Sequence, residues 1–326
     1  MNNLRRCFLR LAAGACAVPA TSCLAWGRSY PSHPVRIIVG FAAGGPNDIL
    51  ARLIGQRLSQ RLGQPFIVEN RPGAGSNVAT EAVVRAPADG HTLLLVGSPN
   101  AINATLYDNL NFDFIRDIAP VAGLIRGTLV MLVHPSVPAR TLPEFIAYAK
   151  ANPGRLSYGS GGIGGITHLT LELFKQEAGG LDILHVPYRG VSPALTDLLG
   201  GRVQIVFANP APSIGYVRAG TLRALAITTA MRSEALPDIP AIGEFVPGYE
   251  ASSIFGLGAP KNTPAEIVDS LNKELDAALV DPTVRAQLAK LDATVLGGSP
   301  ADFGKLLAGE TEKWAKVIRT ANIKPE

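Results

Sequence analysis

Short apolar runs alternate with helical segments from residue 35 onward, and this alternation restricts the fold more than any other feature of the chain. Buried strands are predicted at 35–39, 66–68 and 92–96, where leucine and β-branched residues dominate. Amphipathic helices are predicted between them, over 46–62 and 77–85. Strands and helices that alternate this closely form right-handed βαβ units on a parallel sheet.

A second series of the same kind begins with a strand predicted at 128–133. It continues through strands and helices predicted at 142–151, 156–158, 166–178, 183–186, 193–199, 203–207, 224–228 and 253–257. Three C-terminal helices follow, and each has a start signal: Thr263 with Glu266 as a capping box, Asp281 before Pro282, and Ser299 before Pro300. These helices have no strand series of their own, so the chain is expected to return to its first half.

The sequence therefore predicts an α/β fold of two lobes, with mostly parallel sheets flanked by helices. Lobe 1 is expected to comprise 26–130 and 251–326, and lobe 2 to comprise 131–250. The chain would cross between the lobes near 127–133 and 248–258, and two such crossings provide a hinge and a cleft.

Residues 1–25 are interpreted as an export signal. A basic start is followed by the apolar stretch 11–19 and a small-residue exit at Ala25. The twin arginines leave both the twin-arginine and the general secretory route open, and attachment of a lipid at Cys23 is a weaker alternative. The basic residues and the cysteines of the segment are Arg5, Arg6, Arg10, Cys7, Cys16 and Cys23. Because these are all three cysteines of the chain, the exported form, expected in the periplasm, has no thiol.

The composition excludes several classes of function. Without Arg5, Arg6 and Arg10, 27 basic residues face 26 acidic ones, and aromatic residues make up 6% of the chain, so no basic or stacking surface for nucleic acid is indicated. No apolar stretch is long enough to span a bilayer. The five histidines show no zinc spacing, and no metal or other cofactor is expected.

Two glycine-rich turns carry the functional signal: residues 44–48 and residues 159–168. Each follows an apolar strand and opens a helix, where unpaired N–H groups and the helix dipole favour an anion. Two alternatives stay open. The glycines could serve tight turns alone, or Gly159 to Gly164 could be a dinucleotide fingerprint with Asp182 as the ribose acid.

Other polar residues near these turns have weaker signals. Ser98 could donate a hydrogen bond to a ligand, whereas as a nucleophile it lacks an identifiable base. Asp48 could contact a ligand or balance the dipole of its own helix. His168 could orient the second turn or touch a ligand, Tyr188 could line the cleft or pack at its rim, and Arg189 fits a solvated loop charge.

From about Tyr30 to its end, the chain resembles extracytoplasmic solute-binding receptors of the tripartite tricarboxylate transporter class, the Bug-type receptors. The resemblance is carried by the segments FAAGGPND at 41–48, ENRPGAG at 69–75, ADGHTL at 88–93, YGS at 158–160, THL at 167–169, HVPYRG at 185–190 and RALA at 223–226. It implies a Venus-flytrap fold of the periplasmic-binding-protein type with two crossovers.

The resemblance also implies a function: a non-enzymatic monomer that holds a small carboxylate through backbone N–H groups and waters, and presents it to the membrane subunits of a transporter. The ligand contacts it implies, together with the candidates above, are Phe41, Gly44, Gly45, Asn47, Asp48, Ser98, Asn100, Ser160, Gly164, Gly165, Ile166, Thr167, His168, Tyr188, Ala208 and Asn209. A ligand sensor for a signalling partner is an alternative, as is an exported hydrolase that uses Ser98 or Ser160.

Three positions depart from the pattern of these receptors. Gly165 and Ile166 stand where small hydroxyl residues are usual, and Ala208 stands where an acid is common. All three departures remove polar groups from the expected pocket. These changes count against the usual dicarboxylates and amino acids and leave a more apolar acid, such as an aromatic carboxylate, open as a ligand.

Overall fold

The computed structural model describes residues 30–233, 236–290 and 292–325, so the predicted export signal lies outside the described residues. The strands are β1 Val35–Val39, β2 Phe66–Asn70, β3 Thr92–Gly97, β4 Ile118–Gly127, β5 Val130–Val133, β6 Leu156–Ser160, β7 Ile183–Pro187, β8 Ile205–Ala208, β9 Arg223–Ile227, β10 Ser253–Pro260 and β11 Ala293–Val295. The helices are α1 Pro46–Leu62, α2 Asn77–Val84, α3 Ser98–Leu106, α4 Phe114–Asp117, α5 Leu142–Ala151, α6 Ile166–Glu177, α7 Val191–Leu199, α8 Pro210–Arg218, α9 Ala265–Leu279, α10 Pro282–Ala289 and α11 Pro300–Thr320. None of these helices combines the length and the apolar character that a bilayer span requires.

The strands form two sheets, and each sheet is the centre of one lobe. Lobe 1 has six strands in the order β11-β4-β10-β3-β1-β2, and lobe 2 has five in the order β7-β6-β8-β5-β9. The α/β two-lobed prediction is confirmed. The βαβ strands pair in parallel, as expected, in β1 with β2 and β3 and in β6 with β7 and β8.

The sheets are mixed rather than mostly parallel. β10 runs antiparallel to β3 and β4, and β5 runs antiparallel to β8 and β9. The direction follows from where the chain enters each sheet. β5 and β10 each begin at a crossing, on the edge where the strands of the βαβ units end. They therefore run in the opposite direction to those strands.

The two crossings lie side by side and are hydrogen bonded to each other. The Thr228 N–H donates to the Leu129 carbonyl at 2.9 Å, and the Leu129 N–H donates to Thr228 Oγ1 at 3.1 Å. The Ala251 N–H donates to the Thr228 carbonyl at 2.9 Å. Thr228 therefore joins both connecting segments at the hinge.

Helix α11 packs on elements of both lobes, among them α3 and β4 of lobe 1 and α6 of lobe 2. Its first turn is capped by Ser299, whose Oγ accepts from the Asp302 N–H at 3.1 Å, as predicted. Phe303, in this turn, packs in a core cluster of lobe 1, whereas Trp314 and Val317 belong to the cluster that contains Phe174 of lobe 2. This one helix therefore contributes apolar side chains to a core cluster of each lobe.

Some boundaries differ from the sequence prediction. Residues 210–218, for which no helix was predicted, form α8, because Asn209 and Pro210 make a helix start. The capping box at Thr263 does not form: Thr263 Oγ1 donates to the Pro260 carbonyl at 2.8 Å, and α9 begins after Pro264. Asp281 caps α10 as predicted.

Candidate ligand-binding cleft

The register of lobe 2 shows which edge of its sheet faces lobe 1. β5 enters from the crossing, and its first residue, Val130, pairs with Ala208 at the end of β8 and with Ile227 at the end of β9. β6 and β7 run parallel to β8, so they end at the same edge. The N-termini of α6, α7 and α8 follow directly, and they lie on the side of the crossings.

Lobe 1 has the same arrangement. Gly127, the last residue of β4, pairs with Ser253 at the start of β10, and Gly97 at the end of β3 pairs with Phe255. β1 and β2 end at this edge too, because they run parallel to β3. The N-termini of α1, α2 and α3 therefore lie beside the crossings, opposite those of lobe 2. In open α/β sheets this edge is where ligands bind.

Asp48 holds the first glycine turn in shape. Its Oδ2 accepts from the Gly44 N–H and from Arg52 Nε, both at 2.9 Å, and Arg52 also lies 2.9 Å from Oδ1. The hydrogen bond from Arg52, followed by that from Gly44, lowers the pKa of the Asp48 carboxyl to about 2. Asp48 is only 3% exposed. The structure therefore favours a role for Asp48 within its own turn and helix over direct contact with a ligand.

The start of α1 is open to a ligand. Gly45 is the N-cap residue with extended backbone, φ −81° and ψ 170°, and no side chain caps the helix there. Gly44 adopts φ +84°, a conformation that glycine takes without strain. Phe41 and Asn47 flank the turn half-buried, and the Phe41 carbonyl accepts from Asn70 Nδ2 at 3.0 Å.

The second turn satisfies the N–H groups of four of its own glycines, Gly161, Gly162, Gly164 and Gly165. The Gly161 N–H donates to Thr167 Oγ1 at 3.0 Å, and the Gly164 N–H donates to His168 Nδ1 at 3.0 Å. At the start of α6, however, Gly165 is the N-cap residue without a side-chain cap. Thr167 and His168 are thus held as parts of the turn, while the first turn of α6 keeps free donors.

A stack of three rings supports this turn. The His168 and His185 rings lie 3.8 Å apart at 10°, and the Tyr158 and His185 rings lie 4.7 Å apart. Tyr158 donates its hydroxyl hydrogen to Glu172 Oε1 at 2.6 Å. Burial lowers the pKa of His168 to about 3 and that of His185 to about 4. Both imidazoles are therefore neutral near pH 7.

Ser160 has a histidine beside it that could act as a base, which the sequence did not reveal. Its side chain, however, lacks the solvent access that a nucleophile needs. Its Oγ lies 2.7 Å from His185 Nε2 and accepts from the Gly162 N–H at 3.2 Å. The residue is 0% exposed. Ser160 therefore serves the turn as an internal hydrogen-bonding group.

Ser98 and Asn100 are buried at the start of α3. Ser98 Oγ accepts from the Ile254 N–H at 2.8 Å. Asn100 Oδ1 accepts from the Gly97 N–H at 2.8 Å, and its Nδ2 donates to Thr80 Oγ1 at 2.8 Å. Both residues join α3 to neighbouring elements, so direct ligand contact is less favoured for them than the sequence indicated.

The remaining candidates differ in access. The Tyr188 hydroxyl donates to Asp197 Oδ2 at 2.8 Å, and Ala208 is fully buried in the lobe 2 core. Asn209, the N-cap residue of α8, makes no side-chain cap and is half-buried. Ile166, the first residue of α6, is also half-buried.

A third turn lies at the cleft edge of lobe 1, and the sequence assigned it no functional role. Ala74, Gly75 and Ser76 all have positive φ, and they lead into α2 at Asn77. Asn77 Nδ2 is buried and has no hydrogen-bond partner among the described residues, so it is a free donor. No feature of its composition marks left-handed alanine and serine, so the sequence did not single this turn out as part of the site.

The dinucleotide alternative fails on geometry. Asp182 precedes β7, whereas the glycine turn follows β6, and the two strands run parallel. The acid and the turn therefore lie at opposite edges of the sheet. A ribose-binding acid belongs at the same carboxyl edge as the glycine turn.

Comparison with known proteins decides the family. The model of the tripartite tricarboxylate transporter family receptor matches residues 50–323. This chain belongs to that receptor family. BugT of Bordetella pertussis is 36% identical over 299 residues, which are 91% of each chain.

Solved structures share the fold over about nine-tenths of this chain. Rpa4515 of R. palustris, solved with adipate, has a TM-score of 0.78 at 39% identity, covering 91% of this chain and 100% of that chain. MatC of Rhodopseudomonas palustris, solved with bound malate, has a TM-score of 0.74 at 31% identity, covering 89% and 100%. The receptor family thus includes proteins that hold small dicarboxylates.

Proposed function

We propose that this receptor captures a small carboxylate between its lobes and delivers it to the membrane subunits of a tripartite tricarboxylate-type transporter. The observation that supports this is the pair of uncapped helix starts at Gly45 and Gly165, one in each lobe and both at the cleft edge. Free N–H groups at a helix start bind anions. Ligands seen in relatives, adipate and malate, are carboxylates.

The chemistry of the turns suits an anion without a dedicated cation. Arg52 is engaged with Asp48, and the side chain of Arg189 is exposed. Hydrogen bonds to a charged group contribute about 1.5–3 kcal/mol each, and a micromolar ligand requires about 8 kcal/mol. About three to five such bonds from the two turns would therefore provide micromolar binding.

The shape of the pocket bears on which acid binds. Ile166 brings an apolar side chain to the first position of α6, where this family usually has a small hydroxyl residue. Ala208 is fully buried, so its methyl group shapes the strand end and offers no polar contact. We infer a preference for an acid with an apolar body, such as an aromatic or long-chain carboxylate.

The remaining parts of the proposal concern the whole chain. Residues 1–25 direct export to the periplasm, and the receptor acts there as a monomer without catalysis. Lobe 1 comprises 26–130 with 251–326, and lobe 2 comprises 131–250. α11 packs on the cores of both lobes, so its second half would move against lobe 2 when the cleft opens.

The experiment is a thermal-shift panel on residues 26–326 after unfolding, dialysis and refolding to remove carried-over ligand. Adipate, malate, benzoate and citrate are compared, with butylamine as a cationic control. A ligand at 100 times its dissociation constant stabilises by about 2.7 kcal/mol. A rise in the unfolding temperature with one or more acids supports the proposal. An unfolding temperature that no acid changes contradicts it.

The two other functions have their own outcomes. Turnover of an ester that is lost in Ser160→Ala would favour the hydrolase. A carboxylate-dependent complex with a signalling protein, and none with transporter subunits, would favour the sensor.

A further inference from the structure

The parallel pairing of β1 and β3 brings two distant histidines together. Arg36 of β1 pairs with Thr92 of β3, so the residues just before each strand are neighbours. The imidazole rings of His33 and His91 lie 3.7 Å apart at 23°. Asp89 lies two residues before His91, and its Oδ1 is 3.4 Å from His91 Nδ1. Sequence spacing alone does not reveal this cluster.

We propose that His33, Asp89 and His91 form a binding site for a late first-row divalent cation such as zinc, copper or nickel. One ligand atom from each residue lies within 4.8 Å of the others. Two imidazoles with one carboxylate make a donor set that these metals prefer over magnesium or calcium. Three protein ligands leave a fourth coordination position for water.

The backbone prepares the imidazoles for this role. His91 Nδ1 lies 3.0 Å from the Asp89 carbonyl, and His33 Nδ1 lies 3.3 Å from the Pro34 carbonyl. A carbonyl oxygen only accepts, so each contact favours a proton on Nδ1 and a lone pair on Nε2. Metal-binding histidines commonly have their second nitrogen held in this way.

His91 Nε2 is the atom that most clearly lacks a bonding partner within the described residues. It is buried, and it makes no hydrogen bond to any described residue. A buried polar atom without a partner costs free energy, which a bound cation would recover. Tyr30 fixes the position of this loop, since its ring meets the His91 ring edge-on at 5.3 Å and its hydroxyl donates to the Gly90 carbonyl at 2.8 Å.

The stack itself shows what must change when a cation binds. Nearly parallel rings direct their lone pairs alongside each other instead of toward one point. His33 is exposed, so its ring can turn, whereas His91 is held by Tyr30 and Asp89. Binding therefore rotates His33 and leaves His91 in place.

The site is remote from the cleft. It lies where β1 and β3 begin, and the cleft lies where they end. A cation there would tie the segment before β1 to the loop before β3 without touching the carboxylate. Metal binding and carboxylate binding should therefore be independent, and so the two proposals can fail separately.

The test is titration of untagged, chelator-stripped residues 26–326 with Zn²⁺ by calorimetry and with Co²⁺ by visible absorption. We expect one equivalent per chain, with the affinity reduced at least about tenfold in His33→Ala and in His91→Gln. His134→Ala, which removes a histidine in lobe 2, is the matched control and should bind as the wild type does. Carboxylate affinity should be unchanged in His33→Ala.

Two results would overturn the proposal: binding that is absent from the wild-type chain, or binding that His33→Ala retains in full. His33 is exposed, so its replacement leaves the fold intact and keeps the experiment decisive if His91→Gln fails to fold.

Discussion

The backbone N–H of Gly164 donates to Nδ1 of His168 at 3.0 Å. This bond requires a neutral imidazole, because a protonated Nδ1 cannot accept. It ties the glycine turn of lobe 2 to the stack of His168, His185 and Tyr158. The shape of this glycine turn therefore depends on the protonation of buried histidines.

The first prediction concerns pH. Burial lowers the pKa of His168 to about 3 and that of His185 to about 4, whereas both should titrate near 6.5 in the unfolded chain. Between the folded and the unfolded pKa, the unfolded chain binds more protons than the folded chain does. The contribution of each neutral histidine to the unfolding free energy is therefore fully present above pH 6.5 and is lost as the pH falls. The loss approaches about 1.4 kcal/mol per pH unit for each histidine.

Urea unfolding at pH 7.0, 6.0, 5.0 and 4.5 measures this slope, the change in unfolding free energy per pH unit. Carboxyls begin to take up protons in the unfolded chain only toward pH 5 and below, because aspartate and glutamate titrate near 4 there, so the change between pH 7.0 and 5.0 belongs mainly to the histidines. His168→Gln and His185→Gln should each reduce the slope. An unfolding free energy that stays constant from pH 7.0 to 4.5 would show that these histidines are not held neutral.

The second prediction concerns Gly164. Its φ is +71°, and a Cβ there would lie 2.3 Å from Leu106 Cδ2 of α3. Gly164→Ala should therefore lose about 1–2 kcal/mol from the left-handed conformation and further stability from the displaced leucine. Leu106 belongs to lobe 1 and Gly164 to lobe 2, so the clash would lie between the lobes. The substitution should therefore also weaken binding of a carboxylate between them.

Gly45→Ala is the matched control for that substitution. Gly45 has an extended backbone, and its added Cβ meets no atom closer than 3.6 Å. Chemical denaturation of both variants should show a clear loss only for Gly164→Ala. Equal stability of the two would contradict the contact between the glycine turn and α3.

The third prediction separates two roles of Asp48. If Asp48 only holds the first turn together with Arg52, then Asp48→Asn and Arg52→Leu should each weaken carboxylate binding. The double variant should be weaker by less than the product of the two effects, because both changes break the same contact. Calorimetry on the four proteins completes the cycle. Independent effects would instead indicate that Asp48 touches the ligand.

Much of the fold followed from the sequence, because strand and helix periodicity is local. The βα strands of both lobes, the caps at Asp281 and Ser299, and the two glycine turns were all predicted from short segments. The antiparallel strands β5 and β10 were not predicted as such. Their direction depends on where the chain crosses between lobes, which no local pattern encodes.

The candidate site was predicted less completely, because its contacts join distant segments. His185 reaches His168 and Ser160 only through the register of β6 and β7, in which Tyr158 pairs with His185. The engagement of Ser98 with Ile254 spans the return of the chain to lobe 1. Such partners become visible only when the sheet order is known.

The most direct test of the account changes the start of α1. Aspartate is a favourable N-cap residue, so Gly45→Asp should fold, yet its carboxylate would occupy the N–H groups that the ligand needs and repel it. Gly45→Asn has the same shape without the charge. Calorimetry should show at least about a hundredfold weaker binding of the carboxylate in Gly45→Asp, the loss of roughly two charged hydrogen bonds, and a smaller loss in Gly45→Asn. A folded Gly45→Asp variant that binds the same acid as tightly as the wild-type chain does would contradict the proposal that helix starts hold the ligand.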